Sequence, residues 1–150
     1  MTTSLHDTGE EFIIDTVFRQ DTIGSRPGSL SVGLYNDATD SLSDSSDIGG
    51  ISTEPAGASY SRQTASLDSG DYTNSDSGGD WQTVIADQTF DTSDSSQDVD
   101  SYFVVVNFQS DDTNDGSSTD HLFWTGDLDQ TYNLNSVDSF TLSGAGLSVS

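Results

Sequence analysis

The chain has 150 residues, with 26 acidic side chains against three basic ones and a formal net charge of -23. Nucleic acid is excluded from the expected partners, because phosphate recognition needs clustered Lys and Arg, and the lack of cysteine excludes disulfides, thiolate metal sites and cysteine nucleophiles. No run approaches the roughly 20 apolar residues of a membrane helix, so no membrane partner is expected either.

Residues 1–9 carry neither a basic n-region nor an apolar stretch and read as a flexible or docking arm, with synthesis and assembly in the cytoplasm rather than export by a leader. Residues 10–18 predict a short helix, with a strand as the alternative. Phe12, Ile13, Val17 and Phe18 fall near one helical stripe, Thr8 suits the N-cap, and Glu10 and Glu11 lie near the positive end of the dipole. Leu30, Val32 and Leu34 alternate through residues 29–35, a half-buried strand. Residues 36–50 hold Asp37, Asp40, Asp44 and Asp47 among serines and glycines, which predicts a long exposed loop. Strands follow at 59–67, with Tyr60 at the start and Arg62 on the same face, and at 81–87, carrying Trp81, Val84 and Ile85. Residues 102–108 are β-branched, aromatic and apolar on both faces, which predicts the central strand. Further strands are expected at 121–125, 132–134, 137–142 and 146–149. Together these make one all-β domain over residues 1–150, an antiparallel β-sandwich or jelly-roll-like fold of seven or eight strands.

Glutamate occurs only at Glu10, Glu11 and Glu54, lysine is absent, and the cations are Arg19, Arg26 and Arg62. At ordinary ionic strength such charge repels itself and opposes compaction. Near 1 M salt the Debye length is about 3 Å, so the composition fits a protein that works in multimolar salt. Intrinsic disorder shares this signature, but seven Phe, five Tyr and two Trp in short patterned runs argue against it.

His6 and His121 are the side chains whose ordinary titration lies near neutrality. His121 follows Asp120, yet no Gly-x-Ser-x-Gly elbow supports a triad, and no enzyme is expected. Among so many aspartates any pair can be nominated for glycoside hydrolysis, which leaves that pattern without specificity. The run beginning at Asp111, with Asp115 and Gly116, matches the start of an EF-hand loop but has Leu122 where the bidentate glutamate belongs. Asp111 and Asp115 are therefore weak metal candidates; no cofactor is expected beyond calcium, magnesium, potassium or sodium at acidic loops, including residues 68–80. Exposed Trp81 or Trp124 would suit a sugar ring, although Tyr35, Tyr60 and Tyr72 fall where core packing explains them. Arg62 is expected to pair with an aspartate or Glu54 and to fix a turn or an intersubunit contact.

In order, the chain shows Val17-Phe18-Arg19, then Leu30-Ser-Val-Gly-Leu-Tyr35, Glu54-Pro-Ala-Gly-Ala-Ser-Tyr60-Ser-Arg62, Trp81-Gln-Thr-Val84 and Gly144-Ala-Gly146-Leu-Ser-Val149. That order resembles small β-sandwich virion proteins of tailed viruses, the tail-fibre-like and head-decoration proteins. Gln20 stands where the pattern has glycine, and residues 37–50, 91–100 and 111–120 are more acidic than usual, which points to a virus of haloarchaea. The resemblance implies a virion component, assembled in the host cytoplasm as a symmetric homo-oligomer in contact with other virion proteins. Capsid decoration is the first expectation and a tail-fibre or baseplate component the second. Phe12, Ile13, Val17, Phe18, Arg19 and Arg62 are then the candidate oligomer or docking residues. A monomeric carbohydrate- or ion-binding module of a haloarchaeon is the competing class.

Overall fold

The computed structural model describes residues 3–19, 26–108 and 119–149. In chain order these form β1 (Thr3–Leu5), α1 (Asp7–Phe18), β2 (Ser29–Tyr35), α2 (Asp37–Asp40), β3 (Gln63–Ser66), β4 (Tyr72–Ser77) and β5 (Asp80–Ile85). They continue as β6 (Gln88–Asp91), β7 (Asp98–Phe108), β8 (Thr119–Asn133), β9 (Ser139–Leu142) and β10 (Gly146–Val149). Every pairing is antiparallel. The main sheet runs β1-β8-β7-β2-β3, and two smaller ones run β10-β5-β4 and β6-β9. The fold is all-β and sandwich-like, as the alternating patterns predict, with ten strands among the described residues rather than seven or eight.

The central position of β7 follows from its two apolar faces. Tyr102, Val104, Val106 and Phe108 point into the main core with Leu30, Val32, Leu34, Phe90, Phe140 and Trp124. Phe103 and Val105 alternate to the other face, where they meet Tyr35 and Leu122 under a cover of Leu42, Ile48 and Ile51. Two glycines let the aromatic rings of β7 lie flat across neighbouring strands. Gly33 sits opposite Phe103 and Gly126 opposite Tyr102, and a β-carbon on either would collide with the ring.

Strand β8 carries a bulge. Val104 pairs with Trp124 and Val105 with Leu122, which leaves Phe123 as the extra residue. Phe123 and Trp124 consequently both enter the main core, in an edge-to-face contact with ring centroids 4.7 Å apart. Helix α1 lies over this bulge. Thr8 donates to the Leu122 carbonyl at 2.6 Å, Phe12 packs on Phe108 and Phe123, and a β-carbon on Gly9 would strike the Phe123 carbonyl.

Several expectations are corrected. Residues 3–5 are no free arm, because they pair with Trp124, Thr125 and Gly126. Helix α1 begins at Asp7 behind His6, so Thr8 lies inside it and is not its cap. Residues 36–50 fold into α2 and a single 3-10 turn at Ile48–Gly50, held down because their apolar side chains cover the outer face of β7. The strand expected at 59–67 is confined to Gln63–Ser66, and Tyr60 leaves it to stack on Phe90. Residues 72–77 are a strand within a segment read as a loop, and 88–91 form an unforeseen strand against β9. The segment expected at 121–125 and residues 132–133 of the one expected at 132–134 both lie in β8, since both pair with β7 across an irregularity near residues 128–131, while Leu134 opens a 3-10 turn at Leu134–Ser136.

Candidate functional site

Helix α1 presents two apolar rows. At about 100° per residue, Phe12 faces the core and is 6% exposed, while Ile14, Val17 and Phe18 share the opposite side and are 54%, 61% and 79% exposed. Of the docking candidates, Phe12 is thus a core residue and Ile13 is partly buried against the same core. Val17 and Phe18 stand outward, joined by Ile14, whose exposure the single-stripe reading missed. Arg19 follows at the helix end, its Nη1 3.8 Å from the buried carboxylate of Asp15 one turn earlier.

Arg62 is held within its own chain. Its Nε and Nη2 donate to the two Glu54 carboxylate oxygens at 2.8 and 2.7 Å, a forked pair of the expected kind. The guanidinium lies 5.0 Å from the Phe103 ring centroid, and Asp120 approaches at 3.9 Å. The Glu54 hydrogen bonds raise the Arg62 pKa above its ordinary value, so the cation is permanent. This group closes the outer face of the main sheet, with Phe103 between Arg62 and Gly33.

The histidines take structural places. His6, expected in a frayed terminus, is buried, with Nδ1 donating to the Asp44 carbonyl and Nε2 paired with the Thr125 hydroxyl, both at 3.1 Å. His121 Nε2 meets the Thr119 hydroxyl at 2.9 Å, while Asp120 accepts from Asn107 instead of completing a triad. Trp124, considered as a sugar platform, is buried, whereas Trp81 on β5 is 62% exposed.

Asp111 and Asp115 lie outside the described residues. Among the described residues, no three His, Asp or Glu side chains converge to hold a metal ion. Many aspartates instead accept backbone N–H groups of tight turns. Asp47 accepts from Gly49, Asp68 from Gly70 and Asp76 from Gly79. The spacing of Asp two or three residues ahead of Gly was the signal available in the sequence. Asp40 gathers the most, accepting from the backbone and hydroxyl groups of both Ser52 and Thr53. Partial burial raises its pKa, but these hydrogen bonds outweigh that and hold it below the ordinary carboxylate value. A lowered pKa gives stability that is present above the ordinary carboxylate range and is lost as the pH falls through the lowered value. Asp40→Asn is therefore expected to cost about 1 kcal/mol at neutral pH and to flatten the acid limb of a stability profile measured by urea unfolding.

No protein-family model, curated protein or solved structure matches this chain.

Proposed function

We propose that this chain is a non-enzymatic structural component of a halophilic virus particle, a surface decoration protein of the capsid assembled as a symmetric homo-oligomer. The outward row of Ile14, Val17 and Phe18 carries the reading. Concentrated salt strengthens apolar association, so in a chain with a net charge of -23 an aromatic and two branched aliphatic residues left outside on one helix are expected to be covered by a partner. A second copy is the occupant that the proposal names, since a symmetric ring buries the same patch on every subunit. The order of motifs shared with head-decoration proteins supports the viral setting, and the acidic loops would face brine and keep crowded particles apart. A tail-fibre or baseplate position would use the same surface.

Light scattering behind size exclusion in roughly 3 M KCl, where charges are screened, tests this. A closed trimer, pentamer or hexamer is expected. Val17→Ser combined with Phe18→Ser should reduce it to a monomer that melts as the parent subunit does. A parent protein that stays monomeric at every concentration would overturn the assembly reading. Exposed Trp81 favours the competing carbohydrate-binding module, and quenching of Trp81 emission by oligosaccharide in such a monomer would establish that class instead.

A further inference from the structure

A recess of about 370 Å³ opens between the main sheet and the β10-β5-β4 sheet, within the size range of small-molecule pockets. Its walls are mainly apolar: Leu30, Leu67, Tyr72, Phe123, Trp124 and Leu147. The bulge in β8 creates it in part, because it turns both Phe123 and Trp124 to this side of the sheet.

Two of these wall residues carry a buried polar atom with no hydrogen-bond partner, Trp124 Nε1 and Tyr72 Oη. Such atoms are uncommon in folded proteins, and each calls for an explanation. The Tyr102 hydroxyl lies beside the indole, close enough for Trp124 to lower its pKa though outside hydrogen-bond geometry, and it donates to the Gly146 carbonyl and accepts from its N–H, both at 3.1 Å. Burial, with a smaller contribution from Asp71, raises the Tyr72 pKa, so its hydroxyl remains a donor. Two charged residues border the recess. Asp68 already accepts from the Gly70 and Asp71 N–H groups, whereas Arg26 is exposed and has no ion pair or hydrogen bond among the described residues. Arg26 is therefore the cation available to an anion at the mouth, beside the carboxylate of Asp68, in a chain that is otherwise overwhelmingly negative.

We propose that this recess binds a small anionic amphiphile, a ring-sized apolar body seated among Leu30, Leu147, Phe123 and Trp124 with its carboxylate or sulfonate at Arg26. The apolar body replaces water against the aromatic walls, and the anionic oxygens give Arg26 a charge-assisted partner, which it lacks among the described residues. This inference is independent of the viral reading, since it rests on a different face of the molecule.

Anilinonaphthalene sulfonate has this shape and charge, and it serves as the probe. Trp81→Phe leaves Trp124 as the sole tryptophan, so quenching of indole emission reports the recess. One saturable equivalent that quenches Trp124 is expected. Arg26→Gln should weaken it about tenfold, as for loss of a hydrogen bond to a charged group, and Thr83→Phe, which fills the recess from β5, should abolish it. Both variants are checked for parental melting by circular dichroism. Failure of the probe to bind, or binding that survives both substitutions and disappears in Phe18→Ser, would overturn the proposal.

Discussion

Trp124→Ala is expected to lower stability by about 3–5 kcal/mol, the range for truncating a large buried aromatic. The indole is 1% exposed, meets Phe123 edge to face and stands against Val104 in the central strand pair. Its neighbours cannot collapse into the space, since Phe123 is pinned by the bulge and β1 pairs with β8 directly at Trp124. Urea unfolding in brine should show a lower midpoint with an unchanged slope, the mark of altered stability rather than altered denatured-state compactness. Trp124→Phe separates packing from polarity: it keeps most of the ring and removes an N–H whose approach to the Tyr102 hydroxyl falls outside hydrogen-bond geometry, so its loss should be markedly smaller. Equal losses in the two variants would show that the indole nitrogen is engaged.

The second large effect is that of salt on the unmodified chain. Two carboxylates about 10 Å apart repel by about 0.4 kcal/mol in water, and a net charge of -23 on 150 residues repeats that over many pairs. With a Debye length of about 3 Å at 1 M, repulsion at that separation falls more than tenfold. If the halophilic reading holds, the melting temperature rises steeply from dilute buffer to roughly 1 M KCl and then more slowly as salting-out takes over. Sucrose at matched water activity supplies exclusion without screening. A melting curve indifferent to KCl, or one that sucrose reproduces fully, would remove the charge argument.

What the sequence disclosed follows from where side-chain chemistry and backbone pairing agree. Strand β7 was legible because five successive residues, Tyr102 to Val106, are apolar on both faces and Phe108 follows, which suits a strand covered on both sides. The Arg62–Glu54 pair was legible because cations are so scarce that a half-buried one needs an anion close by. Strand β4, Tyr-Thr-Asn-Ser-Asp-Ser, has the composition of a loop, and it is a strand through its ladder with β5 and the anchoring of Tyr72. Strand β1 is three residues long and depends on a partner more than a hundred positions away, beyond any local pattern. On α1, the outward apolar row was half legible. A single stripe was read where the helix buries Phe12 and exposes Ile14, Val17 and Phe18, because apolar periodicity alone does not say which side meets the sheet. The recess was hidden entirely, since it depends on a one-residue register slip at Phe123 that no composition reveals.

The pairing of β1 with β8 also sets a timetable for the newborn chain. Leu5 cannot find its place opposite Trp124 until the ribosome has released nearly the whole domain, and at synthesis rates of about 5–20 residues per second that delay is on the order of ten seconds. Through that interval α1 has no sheet to lie on, so both of its apolar rows are bare. Closure of the domain around α1 is thus a late event, which waits on the synthesis of β8.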